Sequence, residues 1–289
     1  MRFYCISKTD NFIYKTAGET VDKTIGALKK ACESHEIEFN LVDSNRFDSA
    51  NFPKLTQEGI VYRVTMDASA VRIENEIVNE KCRTFYKDPV KKFPLYDGFE
   101  ILEKAGLPVI ETVHEIVADY DTLKRHSEEL GGFPVVIKCL GKTHGIGVMK
   151  IDSLESLVSV VDYLKTLEAE GKKFVLKKYF EHSRQGRIIV LGDRVIASHE
   201  NVRIPRDFRT NAVPEELRER RAVKYENALE EAAVKAVNSL NVNFGAVDIL
   251  INEDGDFRIA EVNFPCYFNR TQEITGVDIT GMMVEFLAH

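Results

Sequence analysis

Residues 244–263 run Phe244-Gly245-Ala246-Val247-Asp248-Ile249-Leu250-Ile251, then Asn252-Glu253-Asp254-Gly255-Asp256, then Phe257-Arg258-Ile259-Ala260-Glu261-Val262-Asn263. The apolar runs predict two strands, Gly245–Ile251 and Phe257–Asn263, on either side of an acidic turn. Asp248 is a charge inside an otherwise apolar strand. Glu261 and Asn263 share one strand face, because side chains alternate with a period of two. If the strands are neighbours, all three side chains meet. Buried carboxylates are costly without a companion charge, and two carboxylates with one amide oxygen are hard ligands suited to magnesium bridging nucleotide phosphates. The alternative is that Asp248 and Glu261 pair with basic neighbours or face solvent. The turn around Asp254 lacks the ligand spacing of a calcium loop.

Upstream, Pro214 with Glu215 and Glu216 reads as the opening of a long helix, with Tyr225, Leu229, Ala232, Ala236 and Leu240 on its buried side. Before it lies a cationic run, Arg203, Arg206 and Arg209 with Asn211, together with Arg187; arginines hold carboxylates and phosphates through paired N–H donors. Strands are predicted at Phe174–Tyr179, Arg187–Leu191 and Arg194–His199, the last two joined by a Gly192-Asp193 hairpin.

Further upstream the strand Pro134–Leu140 carries Lys138 and runs into Gly141-Lys142-Thr143-His144-Gly145-Ile146-Gly147, before a strand Val148–Ile151 and a helix Leu154–Ala169. Glycines let backbone N–H groups approach phosphate oxygens, and a strand lysine adds a point charge. A tight hairpin with a solvated lysine is the competing reading. Neither the Walker nor the dinucleotide spacing is present. His144 suits a structural or phosphate-contacting role better than general base catalysis.

The first ninety residues alternate strand and helix: Arg2–Ser7, Thr20–Ser34, Phe39–Val42, Gly59–Val64, Ala68–Val78. The proline- and lysine-rich stretch Tyr86–Pro94 is a boundary, followed by helices near Asp97–Ala105 and Tyr120–Leu130. The chain of 289 residues is a mixed α/β (α+β) protein, long enough for about two domains. Its formal charge of -7 gives no general attraction to nucleic acid or to an anionic membrane. No apolar run reaches membrane-spanning length and no signal peptide opens the sequence, so a cytoplasmic protein is expected. The five cysteines are spread singly, which suggests neither a disulfide framework nor a zinc site. No serine-hydrolase elbow or His-Glu-x-x-His motif occurs.

The order Ile137-Lys138, Lys142–Val148, Asp207–Asn211, Val247-Asp248-Ile249, Glu261-Val262-Asn263 and Thr275–Ile279 resembles the RimK-like branch of the ATP-grasp ligases, from about Gly106 to the C-terminus. The resemblance implies an ATP-grasp fold in three parts: an N-terminal α/β domain (1–90), a small central subdomain (91–180) and a C-terminal subdomain (181–289), with ATP between the last two. It implies that Lys138 contacts nucleotide phosphates, that Gly145, Ile146 and Gly147 close over them with His144, and that Lys177, Lys178, Tyr179 and Phe180 form a hinge for adenine. Arg187 belongs to the same nucleotide set. Asp248, Glu261 and Asn263 would hold magnesium, or manganese in its place. Arg203 and Arg209 would neutralise the transferred phosphoryl group, with Asn211 near the substrate.

The activity implied is an ADP-forming carboxylate–amine ligase that joins an amino acid to a peptide, protein tail or small-molecule carboxylate through an acyl phosphate. Its partners are then ATP and small-molecule or peptide substrates, with no nucleic acid and no membrane; a homo-oligomer stays open. A kinase-like member that stops at phosphorylation and a nucleotide-binding regulatory protein without turnover are the alternatives. Three positions depart from the family. Pro94-Leu95 stand where relatives have Asp-Lys, so the second ATP lysine is Lys91 or Lys92 or is absent; Lys177-Lys178 replace Gln-Glu; and Gly186 stands where an acid usually precedes the arginine. These leave open a substrate other than glutamate.

Overall fold

The computed structural model describes residues 1–8, 15–91, 93, 98–140, 145–168, 173–202, 207–209 and 219–289. Of the residues singled out above, Lys92, Pro94-Leu95, Gly141-Lys142-Thr143-His144, Arg203, Arg206, Asn211 and Pro214–Glu216 lie outside the described residues.

The described residues form three sheets. The first is parallel, in the order β2-β1-β3, from β1 (Arg2–Ser7), β2 (Glu38–Asp43) and β3 (Gly59–Arg63), connected through α1 (Lys15–Ser34) and followed by α2 (Ala68–Ile77). Strand β3 is buried at all five positions, as an apolar run in a covered parallel sheet should be. Asp67 caps α2, its side chain accepting from the Ser69 N–H at 3.0 Å.

After α3 (Gly98–Lys104) comes a four-stranded antiparallel sheet, order β4-β7-β5-β6, from β4 (Thr112–Val113), β5 (Val135–Cys139), β6 (Val148–Ile151) and β7 (Phe174–Lys178), with α4 (Tyr120–Glu129) and α5 (Leu154–Glu168). The third sheet is five-stranded, order β10-β9-β8-β11-β12, from β8 (Arg184–Leu191), β9 (Arg194–Val202), β10 (Arg220–Ala222), β11 (Phe244–Ile251) and β12 (Phe257–Asn263). Helix α6 (Asn227–Ser239) follows β10, and α7 (Asn269–Thr275) and α8 (Ile279–Ala288) end the chain.

The long helix expected from Pro214 is corrected by this arrangement: residues 220–222 pair with β9 as a strand, and the helix begins only at Asn227. Tyr225, expected on the helix, precedes it, and Ala233 and Val237 join Leu229 and Ala236 on the buried side. The charged Arg220-Arg221 carried no strand signal; what makes them a strand is the exposed edge of β9, a tertiary effect invisible to a local pattern. The short β4 and α7 also escaped the sequence reading.

The first and third sheets share one core, in which Phe3, Ile60 and Tyr62 join Phe244, Ile249, Phe268 and Met283, all at most 1% exposed. Tyr62, Phe85 and Phe244 form a mutually contacting aromatic group with ring centroids 4.9–6.2 Å apart. Leu102 and Leu107 belong to this core too, although they lie inside the expected middle segment 91–180. The four-stranded sheet packs separately, around Leu123, Ile137, Leu157, Val161 and Leu176. It is thus joined to the rest through a face that is not apolar core, and that face is where the candidate site lies.

Candidate nucleotide cleft

A cleft of about 160 Å³ is lined from both the four- and the five-stranded sheets. Strands β5 and β7 contribute Lys138, Lys177 and Lys178; β11 and β12 contribute Asp248 and Glu261; Gly145, Tyr179, Phe180 and Arg209 come from the connections. Nine of the residues expected at the site therefore share one cavity. Ile146, 41% exposed, and Gly147 are not on its wall. Arg187 and Asn263 reach it only through Asp248.

The antiparallel register sets Asp248 directly opposite Glu261, and opposite Arg187 on its other side. The pairing of β11 with β12 shifts immediately after Asp248, so that Ile249 faces Ile259 and Ala260 is the extra residue. This bulge brings both Ala260 and Glu261 to the cleft wall, re-aiming a side chain as bulges do. Arg187 Nη1 donates to both Asp248 oxygens at 2.8 and 3.0 Å, and its Nη2 to the Tyr267 carbonyl at 2.9 Å. Asn263 Nδ2 donates to Asp248 Oδ2 at 3.1 Å. Burial pushes the Asp248 carboxyl upward from its usual value, and Arg187 opposes that rise. The second carboxylate is paired as well: Lys138 Nζ lies 3.1 Å from Glu261 Oε2. Both acids thus have basic neighbours.

Gly186 has a packing reason. A Cβ there would lie 2.3 Å from the Tyr225 hydroxyl and 2.7 Å from Ile249 Cγ1, so no acidic side chain fits beside Arg187.

In the turn that brings Gly145 to the opposite wall, Gly145 and Gly147 both hold positive φ, 74° and 75°, which L side chains rarely adopt. The turn is closed by the Cys139 N–H donating to the Gly147 carbonyl at 2.8 Å. Arg209 is held by Asp207 through contacts of 3.1 and 2.8 Å, and its Nη1 donates to the Gly145 carbonyl at 3.3 Å, linking this turn to the other side of the cleft. Tyr179 lies 6.3 Å edge-on from Phe208, with Lys150 4.7 Å over its ring, and Arg258 stands 5.4 Å over Phe180. Lys178 pairs with Glu111 at 3.0 Å at the cleft mouth, while Lys177 is 4% exposed.

Sequence reasoning missed Ile110, Val136, Val148, Leu250, His182 and Gln185, which also line the cavity. Ile110 lies in the connection before β4, and Val136, Val148 and Leu250 are ordinary strand residues with nothing local to single them out; the place of these three on the wall follows from sheet register. Gln185 and His182 adjoin a segment already read as functional, and their polarity next to an apolar strand was an available signal.

The cleft therefore combines an apolar wall that suits a flat ring, several cations that suit a polyanion, and two carboxylates with an amide. Among the described residues no cluster of three or more acidic, histidine or cysteine side chains could hold a metal alone. Two carboxylates fit instead a divalent cation that completes its shell with a ligand's phosphate oxygens, the usual situation of magnesium.

A family model for the RimK-like ATP-grasp domain matches residues 96–287. A probable alpha-L-glutamate ligase of Pectobacterium carotovorum is 32% identical over 161 residues, covering 55% of this chain and 51% of that protein. The chain spans about half the length of the curated relatives it matches first. The macrocyclase MdnC of Microcystis aeruginosa, solved with a precursor peptide, superposes with a TM-score of 0.72 at 14% identity, over 100% of this chain and 99% of that one. The D-alanine–D-alanine ligase of Bacillus anthracis does so with a TM-score of 0.70 at 12% identity, over 100% and 96%. At such identities the likeness concerns the fold, which is mixed α/β throughout. With two thirds of its length covered by the family model, the chain belongs to the RimK-like ATP-grasp family.

Proposed function

We propose that the chain is an ATP-dependent, ADP-forming carboxylate–amine ligase whose nucleotide lies in the cleft between the four- and five-stranded sheets. The observation that carries this reading is the pair of charge contacts at that cleft, Lys138–Glu261 across the two sheets and Arg187–Asp248 within the five-stranded one. Tyr179 and Phe180 would flank the base, Lys138 and Arg209 the phosphates, and Asp248 and Glu261 with Asn263 a magnesium or manganese ion. When bound, that ion would neutralise charge on the phosphates; the protein's own part is positioning and electrostatics, which dominate phosphoryl transfer.

In the first step the oxygen of a substrate carboxylate bonds to the γ-phosphorus as the bond to the β,γ-bridging oxygen breaks, giving an acyl phosphate and ADP. In the second an amine nitrogen bonds to the acyl carbon, phosphate leaves with the carbon–oxygen bond electrons, and the amine loses a proton. No protein nucleophile is required. Arg209, bridging Asp207 and the Gly145 carbonyl across the cleft, is suited to neutralise the moving phosphoryl group and to hold the turn closed against water. The amine is read as an amino acid, glutamate being the one named for the curated relatives, and the carboxylate as that of a peptide, as in the peptide-bound neighbour.

The bidentate hold of Arg187 on Asp248 favours one other reading, a nucleotide-binding protein without turnover, since it ties up both oxygens of a needed acid. ADP release separates the two. Purified protein with magnesium-ATP, pooled amino acids and carboxylate-bearing peptides should release ADP only when both substrates are present. Glu261→Ala should abolish release while leaving thermal stability nearly unchanged, because its side chain is 42% exposed. Unchanged release in that variant would overturn the metal assignment, and nucleotide binding without release under every pool would favour the regulatory reading.

A further inference from the structure

Lys177 lies on the cleft face of β7, opposite Val136 of β5 and Thr112 of β4. Lys138 is two residues beyond Val136, hence on the same face and a diagonal neighbour across the strands. Lys177 Nζ donates to Thr112 Oγ1 at 2.8 Å and stands 3.5 Å over the ring centroid of Phe99; Lys138 Nζ is 5.8 Å from that same ring. The two lysines share an aromatic neighbour but not a counter-charge. Lys138 has Glu261, whereas no carboxylate among the described residues pairs with Lys177.

An apolar side chain would fill this space beside Phe99 at less cost than a buried ammonium. Burial first, and then the neighbouring charge of Lys138 on β5, lower the Lys177 amine from 10.5 to about 7; Glu261 on β12 and Glu103 on α3 work in the other direction and offset only part of this. As pH rises above about 7 the group therefore gives up its proton, in a cavity that also holds Lys138, Asp248 and Glu261. Among the described residues it has no anion beside it.

We propose that Lys177 is a second phosphate-binding lysine of this cleft and takes up a proton from solvent as the nucleotide's phosphate chain enters. The proposal rests on the nucleotide reading given above and adds to it a residue and a coupling. The step balances simply: the neutral amine plus one proton drawn from the buffer becomes an ammonium, stabilised by the phosphate oxygens beside it. Arg187 and Arg209 cannot respond in this way, because a guanidinium keeps its proton throughout.

Calorimetric titration of the full chain with magnesium-ADP at about pH 8, in Tris and in HEPES, reads proton uptake from the difference in buffer ionisation heat; the nucleotide's own phosphates are already ionised there. Wild-type protein is expected to take up close to one proton per ADP bound. Lys177→Met is expected to bind roughly ten- to a hundredfold more weakly, with uptake abolished. Lys177→Arg is expected to recover most of the affinity, also without uptake, because its charge is permanent. Wild-type binding with no proton uptake, or a methionine variant that matches wild type in uptake and affinity, overturns the proposal and leaves the nucleotide reading standing. Failure of wild-type protein to bind ADP at all overturns the nucleotide reading itself, and the proposal with it.

Discussion

The same lysine makes a stability prediction that needs no ligand. Replacing Lys177 by methionine removes a buried amine whose folded-state pKa is lowered from 10.5 to about 7. At about 1.4 kcal/mol per pH unit that fall corresponds to roughly 5 kcal/mol of cost to the folded state. The sign follows from linkage. Below about pH 7 the folded and unfolded chains both carry the proton, and the buried charge bears the full cost. Between pH 7 and 10.5 the folded amine is neutral while the unfolded one is charged, so the cost shrinks as pH rises; above 10.5 it is gone. Against it stand the bond to Thr112 and the contact with Phe99, which together offset about 1–3 kcal/mol. Lys177→Met is therefore expected to be more stable than wild type by roughly 2–4 kcal/mol at pH 7, an advantage that falls by about 3 kcal/mol by pH 9.5. Urea unfolding followed by far-ultraviolet circular dichroism at both pH values measures this, the chain having no tryptophan to report by fluorescence. A variant less stable than wild type at pH 7, or a difference that does not change with pH, would refute the reasoning.

Gly186→Ala is expected to destabilise by about 1–3 kcal/mol, since a Cβ there meets Tyr225 and Ile249 at 2.3–2.8 Å; adding Tyr225→Phe should recover only part of the loss, because Ile249 remains in the way, and urea midpoints of the single and double variants test this. Arg187→Met leaves the Asp248 carboxylate buried beside Asn263 with its guanidinium gone, a loss of about 3–5 kcal/mol, while the double variant with Asp248→Asn should regain much of it; equal melting temperatures for wild type and Arg187→Met would contradict the importance given to this pair.

What was legible in the sequence was whatever its pattern states locally. Apolar runs announced β1, β5, β8 and β11, with Pro134 and Gly141 bounding β5 and Gly192 closing β8, and alternation put Glu261 and Asn263 on one face. Asp248 stood out because a charge in an apolar strand needs a reason. The illegible parts depend on partners distant in sequence. Strand β10 exists because β9 offers an edge, and α7 because Asn269 donates to the Thr20 carbonyl and Thr24 Oγ1 some 245 residues away. For the same reason the surroundings of Lys177 were not legible: the family resemblance puts it in a hinge, while the register of β5 against β7 sets it near Lys138 and α3 lays Phe99 beside both.

The two readings first set against each other for Asp248 and Glu261, metal ligands or partners of basic residues, turn out not to compete. In the ligand-free chain Arg187 and Lys138 neutralise them, so the cleft can be folded and buried without a metal. On the proposed function those pairs are what a magnesium nucleotide would exchange. Its phosphates offer the lysine and arginine a new anion while its divalent ion offers the carboxylates a new cation, and each group leaves one opposite charge for another. A ligand of a single sign could satisfy only half of the site and would leave the other half buried and unpaired. Among the described residues Lys177 is the one basic group of the set with no acid of its own, so the charge it gains on protonation calls for an added anion. On the proposed function the cleft would then favour a ligand carrying more negative than positive charge, as magnesium-ATP does, over a free divalent cation.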